Sequence, residues 1–447
     1  MKINISDAST CSYKVLYDVI YNKAFSNISI NKHLNLMVKN NNDRALAVNI
    51  IYGTLKKRNR LEKIFSELSN SPIEKTDKRV RILILLSLYQ IFYLDKVPEY
   101  AIVNDAVNLG KFFAGNSTGS YINGILRSAL RSKNDIVKKE NNIEDLMYYE
   151  YGFEKWITNM LKEHYDNEYI ENLGKEFEKA SDVYIKVNHR KISTDNLIKI
   201  FDSKNISIEK TFVADVLKIN STSNIFFMDE FKKGYFYAQD ISGAISTCVL
   251  KPNNGDSIID LCAAPGSKSF GAAIYADGVS VLSCDNSKLK LDLLKRTASQ
   301  LGLSNIRANL RDSTKSIDRD VNKFDKVICD VPCSGLGVCK RKPEILTNLT
   351  MEHIKSLIPI QQEMLKRAIE YTKSGGEIVY STCTINPSEN LINVKKVIDE
   401  IENVELMEIN LDFNLQNDHP EMKDGYLILD PVKDKCDGFF MAKIKKH

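Results

Sequence analysis

From Gly255 onward, short apolar runs alternate with longer amphipathic stretches, and most of the runs finish on an acid or a cysteine. Strands are predicted at 257–262, 279–284, 306–310, 327–331 and 377–381, with helices at 288–301 and 351–372. Near-continuous apolar strands separated by helices can bury both their faces in only one common way. They form a parallel sheet covered by helices on each side. This part of the chain is therefore expected to be a doubly wound α/β domain.

The first 140 residues obey a different period. Apolar residues recur at helical spacing in Tyr13-Val15-Leu16-Val19-Ile20, Ala45-Val48-Ile51-Leu55 and Val80-Leu83-Leu86-Tyr89-Phe92. Pro72 and Pro98 fall between such runs, where helices should break. Residues 79–94 are apolar almost all round and should be the central helix of a compact bundle. Between the two parts, 141–180 reads as helix, 183–188 as a strand and 196–201 as a short helix. Three domains are expected: an all-α bundle at 1–140, a small α+β linker domain at 141–235 and the α/β domain at 236–447.

Charge divides the chain along the same line. Residues 1–140 hold 22 Lys and Arg against 12 Asp and Glu, a net of +10 in a chain whose total is +4. A basic module on a mildly acidic body suits a polyanion-binding arm on an enzyme. Nine cysteines in 447 residues form no C-x-x-C pair and no disulfide framework, and no metal site is expected. No apolar run reaches the roughly 20 residues that span a bilayer. Residues 1–4 lack a signal-peptide layout, so a cytoplasmic location and no membrane association are expected.

The first strand of the α/β part leads into Asp260-Leu261-Cys262-Ala263-Ala264-Pro265-Gly266-Ser267-Lys268. Small residues in a strand-to-helix turn let backbone approach a ligand. Asp285 closes the next strand, where such folds grip ribose hydroxyls, and Asp312 and Asp330 follow strands three and four. Four acids at successive carboxyl ends would line one crevice.

Two cysteines share that edge: Cys333 in Asp330-Val331-Pro332-Cys333-Ser334-Gly335, and Cys383 in Ser381-Thr382-Cys383-Thr384. Carbon 5 of cytosine is too weak a nucleophile to attack a methyl sulfonium unaided. A thiolate added at carbon 6 makes it reactive, splitting one hard step into two. Asp330 stands where a proton donor for ring nitrogen 3 is needed. A second thiol can assist release. Lys340, Arg341 and Lys342 offer positive charge to favour thiolate. Cys262, Cys284 and Cys329, within apolar strands, read as core residues.

With these residues in view, the chain resembles the RNA cytosine carbon-5 methyltransferases, and more closely the bacterial 16S ribosomal RNA methyltransferase B group (Fmu/Sun). Asp260 to Ser269, Asp330 to Gly335, Ser381-Thr382-Cys383 and the closing Asp437 to Ala442 match the family's motifs, with Ser267 where glycine is usual. The N-terminal part resembles a NusB-like RNA-binding domain through Asp43-Arg44-Ala45, Tyr100 to Val107 and Tyr121 to Arg127. Gln239 to Gly243 and Gly152 to Trp156 depart from the family pattern. The resemblance implies a Rossmann-like class I methyltransferase with a seven-stranded sheet, S-adenosylmethionine as cofactor and 16S ribosomal RNA as partner of a monomer. It implies Cys383 as nucleophile, with Cys333 and Asp330 as the other catalytic residues. Cys262, Ala263, Ala264, Pro265, Gly266, Ser267, Lys268, Asp285, Asp312 and Asp330 map to cofactor positions. Arg341-Lys342-Pro343-Glu344 resembles a basic segment near the substrate strand. The rival readings are a transfer-RNA cytosine methyltransferase and a non-catalytic RNA-binding factor.

Overall fold

The structure, a computed structural model, describes residues 6–69, 72–133, 140–220 and 225–447. Residues 1–4, read above for a signal peptide, lie outside these. The chain forms two compact units: 1–180 with 339–348, and 181–338 with 349–447.

The first unit is helical, as its period predicts. Seven helices, Asp7–Tyr21, Ser26–Met37, Asn41–Lys56, Arg58–Leu68, Lys78–Tyr93, Glu99–Ala114 and Thr118–Arg131, enclose one core. Lys78–Tyr93 is its centre, with Val80 and every residue from Ile82 to Ile91 buried. Asp77 caps it, accepting from the Arg79 backbone N–H. Its two buried polar side chains answer to their own helix. Ser87 Oγ donates to the Leu83 carbonyl at 2.7 Å and Gln90 Nε2 to the Leu86 carbonyl at 3.1 Å, so neither costs an unsatisfied group.

The units divide the chain elsewhere than at 140 and 235. Helices Ile143–Tyr151, Lys155–Lys162 and Asn167–Glu178 belong with the first unit. Arg60, only 1% exposed, pairs with Glu140 at 2.9 Å and with Glu150. Lys57 Nζ donates to the Glu150 carbonyl at 2.8 Å. A buried guanidinium must keep its carboxylates, so these helices stay on the bundle.

The rest of the expected linker domain belongs with the second unit. It is a four-stranded antiparallel sheet of β1 (Val183–Val187), β2 (Ile208–Lys210), β3 (Val216–Ile219) and β4 (Phe236–Ala238), in the order β2-β3-β1-β4. Helix Thr194–Ser203 lays Leu197 and Phe201 on one face. Asn188 Nδ2 donates to the Leu301 carbonyl at 2.9 Å, and Lys191 Nζ to that of Gln300 at 2.8 Å. Both carbonyls close helix Lys288–Leu301 of the α/β part, so the small sheet is tied to that part.

The large sheet holds β5 (Ser257–Asp260), β6 (Ser280–Asp285), β7 (Ile306–Leu310), β8 (Phe324–Asp330), β9 (Thr372–Thr382), β10 (Val404–Leu406), β11 (Tyr426–Leu429) and β12 (Phe439–Lys446). Its order is β10-β12-β9-β8-β5-β6-β7, with β11 also on β12. It is thus seven positions wide, two short strands sharing the outer one. Strands β5 to β9 are parallel, and β12 runs antiparallel to β9. The order reverses between β5 and β8, which opens a crevice at their carboxyl ends.

Candidate active site

The register places the chemical groups. Asp330 pairs with Ser381 across β8 and β9, and Asp260 pairs with Ser283 across β5 and β6. All of these residues therefore reach the same edge of the sheet. Backbone bonds fasten the loops beyond. Leu261 N–H donates to the Ile328 carbonyl, and Ala263 N–H to that of Cys284 at 2.8 Å. Gly337 N–H donates to the Cys383 carbonyl at 3.0 Å, and Gly438 N–H to that of Gly337 at 2.9 Å.

The two cysteines meet. Their sulfur atoms are 3.4 Å apart, and neither is in a disulfide. The hydrogen bond to Cys383, together with burial, raises the Cys333 thiol well above its ordinary value. Cys333 is thereby kept as a thiol that can donate to its neighbour's sulfur.

Beside them lies a charged pair. Lys268 Nζ donates to Asp330 Oδ2 at 2.7 Å, and Ser381 Oγ donates to Asp330 Oδ1 at 2.6 Å. Burial works against the Lys268 charge, but the Asp330 carboxylate outweighs it and the ammonium is held protonated. The Lys268 ammonium also faces the Phe439 ring at 5.1 Å. Gly266, at φ +121°, precedes helix Ser267–Tyr275; a Cβ there would lie 2.3 Å from the Phe270 ring, so only glycine fits.

The acids separate into two kinds. Asp285, 3% exposed, accepts from Ala264 N–H at 3.3 Å and Ser287 N–H at 2.9 Å. Asp260 is buried, and burial pushes its carboxyl up to about 7. Asp312 is exposed, and the Thr314 hydroxyl and N–H hold its carboxyl below the ordinary range. Its loop is still tied to the crevice, since Ser313 Oγ donates to the Leu261 carbonyl. Burial raises the Cys262 and Cys284 thiols to about 12, and lifts Cys329 well above its ordinary value. Buried neutral thiols of this kind are packing groups.

The acceptor-only carboxylates Asp285 and Asp330, the Oδ1 of Asp260, which has no partner among the described residues, and the small-residue turn 262–267 suit a cationic, hydroxyl-bearing group. That is the chemistry of S-adenosylmethionine. Among the described residues no group of His, Cys, Asp and Glu could hold a metal.

Two features escaped the sequence reading. Segment 339–348 belongs to the first unit. There Glu344 Oε1 accepts the Ser26 N–H at 2.9 Å, Lys340 pairs with Glu176 at 3.0 Å and the Lys342 ammonium lies 5.8 Å from the Phe25 ring. The expected gift of charge to the thiols is thus spent, for Lys340 and Lys342, on that unit's own groups. The second is Glu389, which is fully buried and bonded to the Cys333 loop through Ser334 N–H at 2.8 Å. The run Asn386-Pro387-Ser388-Glu389-Asn390 reads locally as a turn, and its one signal was a charge six residues beyond Cys383.

Known proteins agree with this architecture. Residues 247–445 match the family described as 16S rRNA methyltransferase RsmB/F, and residues 7–131 match the NusB family. The chain is 30% identical over 432 residues to a protein of Bacillus subtilis named probable ribosomal RNA small subunit methyltransferase B, covering 95% of each. A protein of the same name from Synechocystis is 28% identical over 449 residues, covering 98% of this chain and 99% of its own. The crystal structure of a methyltransferase homolog protein from Pyrococcus horikoshii superposes with a TM-score of 0.60 at 26% identity, over 69% of this chain and all of that one.

Proposed function

The chain belongs to the ribosomal RNA small subunit methyltransferase B family, and from that premise we propose that it methylates carbon 5 of a cytosine through a covalent bond to Cys383. The enzyme is an S-adenosylmethionine-dependent 16S rRNA methyltransferase; the position on the base and the adduct are our reading. The observation that carries it is the pair of cysteine sulfurs 3.4 Å apart beside the Lys268–Asp330 pair.

S-adenosylmethionine, when bound, supplies a methyl group on a sulfonium. The turn 262–267, with Asp285, Asp312 and Asp330, would hold it. The rest of the chemistry belongs to side chains. Cys383, as thiolate, forms a bond from its sulfur to carbon 6, and the displaced π electrons run toward carbon 5 and ring nitrogen 3. Asp330 passes a proton to nitrogen 3, drawn from the Lys268 ammonium 2.7 Å behind it. Carbon 5 then takes up the methyl group. In release the carbon 5 proton leaves to solvent, its electron pair re-forms the carbon 5–carbon 6 double bond as the carbon 6–sulfur bond breaks, and nitrogen 3 returns its proton through Asp330 to Lys268. Sulfur 383 departs as thiolate and receives a hydrogen bond from the Cys333 thiol. A base must leave its stack to reach Cys383. On this reading the basic residues 1–140 hold the RNA by charge and shape, and 236–447 carry the chemistry.

Presenting 16S rRNA with 5-fluorocytidine tests the mechanism, because fluorine cannot leave as a proton does. With cofactor, wild type should form a denaturant-stable protein–RNA adduct whose peptide mass maps to Cys383, and Cys383→Ala should form none. Methylation of ordinary RNA by Cys383→Ala, or an adduct elsewhere, overturns the mechanism. Methylation of transfer RNA in preference to 16S rRNA moves the substrate.

A further inference from the structure

The two sulfur atoms ride on separate loops, one after β8 and one after β9, and a single buried carboxylate bonds to both. Glu389 is 0% exposed and ends the 3₁₀ turn Pro387–Glu389. Its Oε1 accepts from Ser334 N–H at 2.8 Å and Gln361 Nε2 at 3.0 Å. Its Oε2 accepts from the Ser334 hydroxyl and from Asn386 Nδ2 at 2.9 Å. Four short bonds, with the Thr384 hydroxyl a longer fifth at 3.5 Å from Oε2, converge on a group that, ionised, has acceptor capacity alone. Ser334 directly follows Cys333 and gives two of the four bonds. Its hydroxyl also lies 2.7 Å from that of Thr384, which directly follows Cys383. Gln361 extends the clasp to the Pro332 carbonyl at 3.0 Å, just before Cys333.

We propose that Glu389 is a positioning residue that sets the Cys333 thiol against Cys383, and that it governs release of the methylated base more than its capture. The proposal rests on the roles given above to the two cysteines. The asymmetry follows from how each loop is held. Cys383 comes directly after Thr382, which is still paired with Phe440 in the sheet, and its carbonyl accepts from Gly337. Cys333 lies three residues beyond the end of β8, and both of its neighbours are reached by the clasp. Loosening Glu389 therefore displaces Cys333 first. Nucleophilic addition survives, while the leaving sulfur loses its donor and the adduct persists.

Glu389→Gln keeps the shape but puts an NH₂ among donors. On the Oε1 side neither donor can turn: Ser334 N–H is backbone, and Gln361 Oε1 is engaged by Asn393 Nδ2 at 3.0 Å. The full-length variant is given unmodified 16S rRNA and cofactor, and three quantities are read. They are methyl transfer in the first turnover, steady-state turnover, and the fraction of protein in denaturant-stable adduct. Turnover should fall on the order of a hundredfold, as a displacement of about 1 Å can cost. The first turnover should change by less than about threefold, and adduct should rise on the order of tenfold. Glu389→Gln combined with Cys333→Ala should hold no more adduct than Cys333→Ala alone.

Equal loss of first and later turnovers without adduct, or a lowered melting temperature as the only change, overturns the proposal, since a merely structural role predicts those. Should Glu389→Gln not fold, Ser334→Ala removes one of the four bonds and must show a smaller rise in adduct; its absence there is equally decisive. Adduct formation by Cys383→Ala would instead strike the underlying mechanism, which keeps the two failures distinct.

Discussion

Asp260→Asn should make the protein more stable at alkaline pH, and by an amount the structure sets. Asp260 closes β5 with 1% exposure. Oδ2 accepts from Ser269 Oγ at 2.7 Å, which in turn accepts from Ser283 Oγ at 2.8 Å. Oδ1 has no partner among the described residues. Burial is the largest influence on the carboxyl. The Ser269 bond opposes it and the nearby Asp330 charge adds to it, giving about 7 in place of 3.8. That gap corresponds to roughly 4 kcal/mol between the two protonation states. Because the folded value is raised, the folded chain binds the proton more tightly than the unfolded chain. The stabilisation is complete below about 4, the unfolded value, and declines until pH passes about 7. Asparagine does not titrate and can still accept from Ser269. Urea unfolding of both proteins at intervals from pH 5 to 8 isolates the one group, because all other titrations are shared. Wild type should lose about 3 kcal/mol relative to the variant across that range. A difference that stays flat with pH, or grows in wild type's favour as pH rises, refutes the assignment of a buried, protonatable Asp260.

Two further outcomes are expected. His419 is held between Asp434 at 3.2 Å and Glu421 at 2.9 Å, and the Asp434 bond chiefly raises its pKa against the opposing effect of burial. Its contribution is full below about 6.5, the unfolded value, and is lost as pH rises through the higher folded one. Melting temperatures of wild type and His419→Gln should therefore converge above neutrality and diverge below it; parallel profiles would dismiss the interaction. Gly337→Ala places a Cβ 2.0 Å from the Gly438 carbonyl oxygen and 2.9 Å from that of Cys383. Both obstacles are backbone, so the loops must part, at about 3 kcal/mol. The variant should also yield no adduct with 5-fluorocytidine RNA, and wild-type adduct formation would contradict the tight joint drawn here.

What could be read from the sequence follows from how much of each interaction is local. Strands β5 and β8 announce themselves, because burial on both faces forces apolar runs, and helix Lys288–Leu301 does so by its period. Strand β12 does not. Its Lys443 and Lys445 look solvent-facing, yet Lys443 is buried and approaches Glu377 at 3.3 Å together with Lys326 at 2.8 Å. A charge paired inside a sheet edge is indistinguishable, in one dimension, from a surface charge. The short strands β2 to β4 are three or four residues long, too short for alternation to declare itself. The meeting of the two thiols was legible because each cysteine follows closely on its own strand, and parallel register brings the strand ends together. Glu389 was not, because nothing within its turn hints that Ser334, 55 residues earlier, supplies two of its donors. The same holds for Glu344, whose partner Ser26 lies 318 residues away. Period and spacing thus expose the acids and thiols at strand ends. The residues that hold those groups in place appear only once distant loops have been brought together, and it is there that single substitutions should separate capture from release.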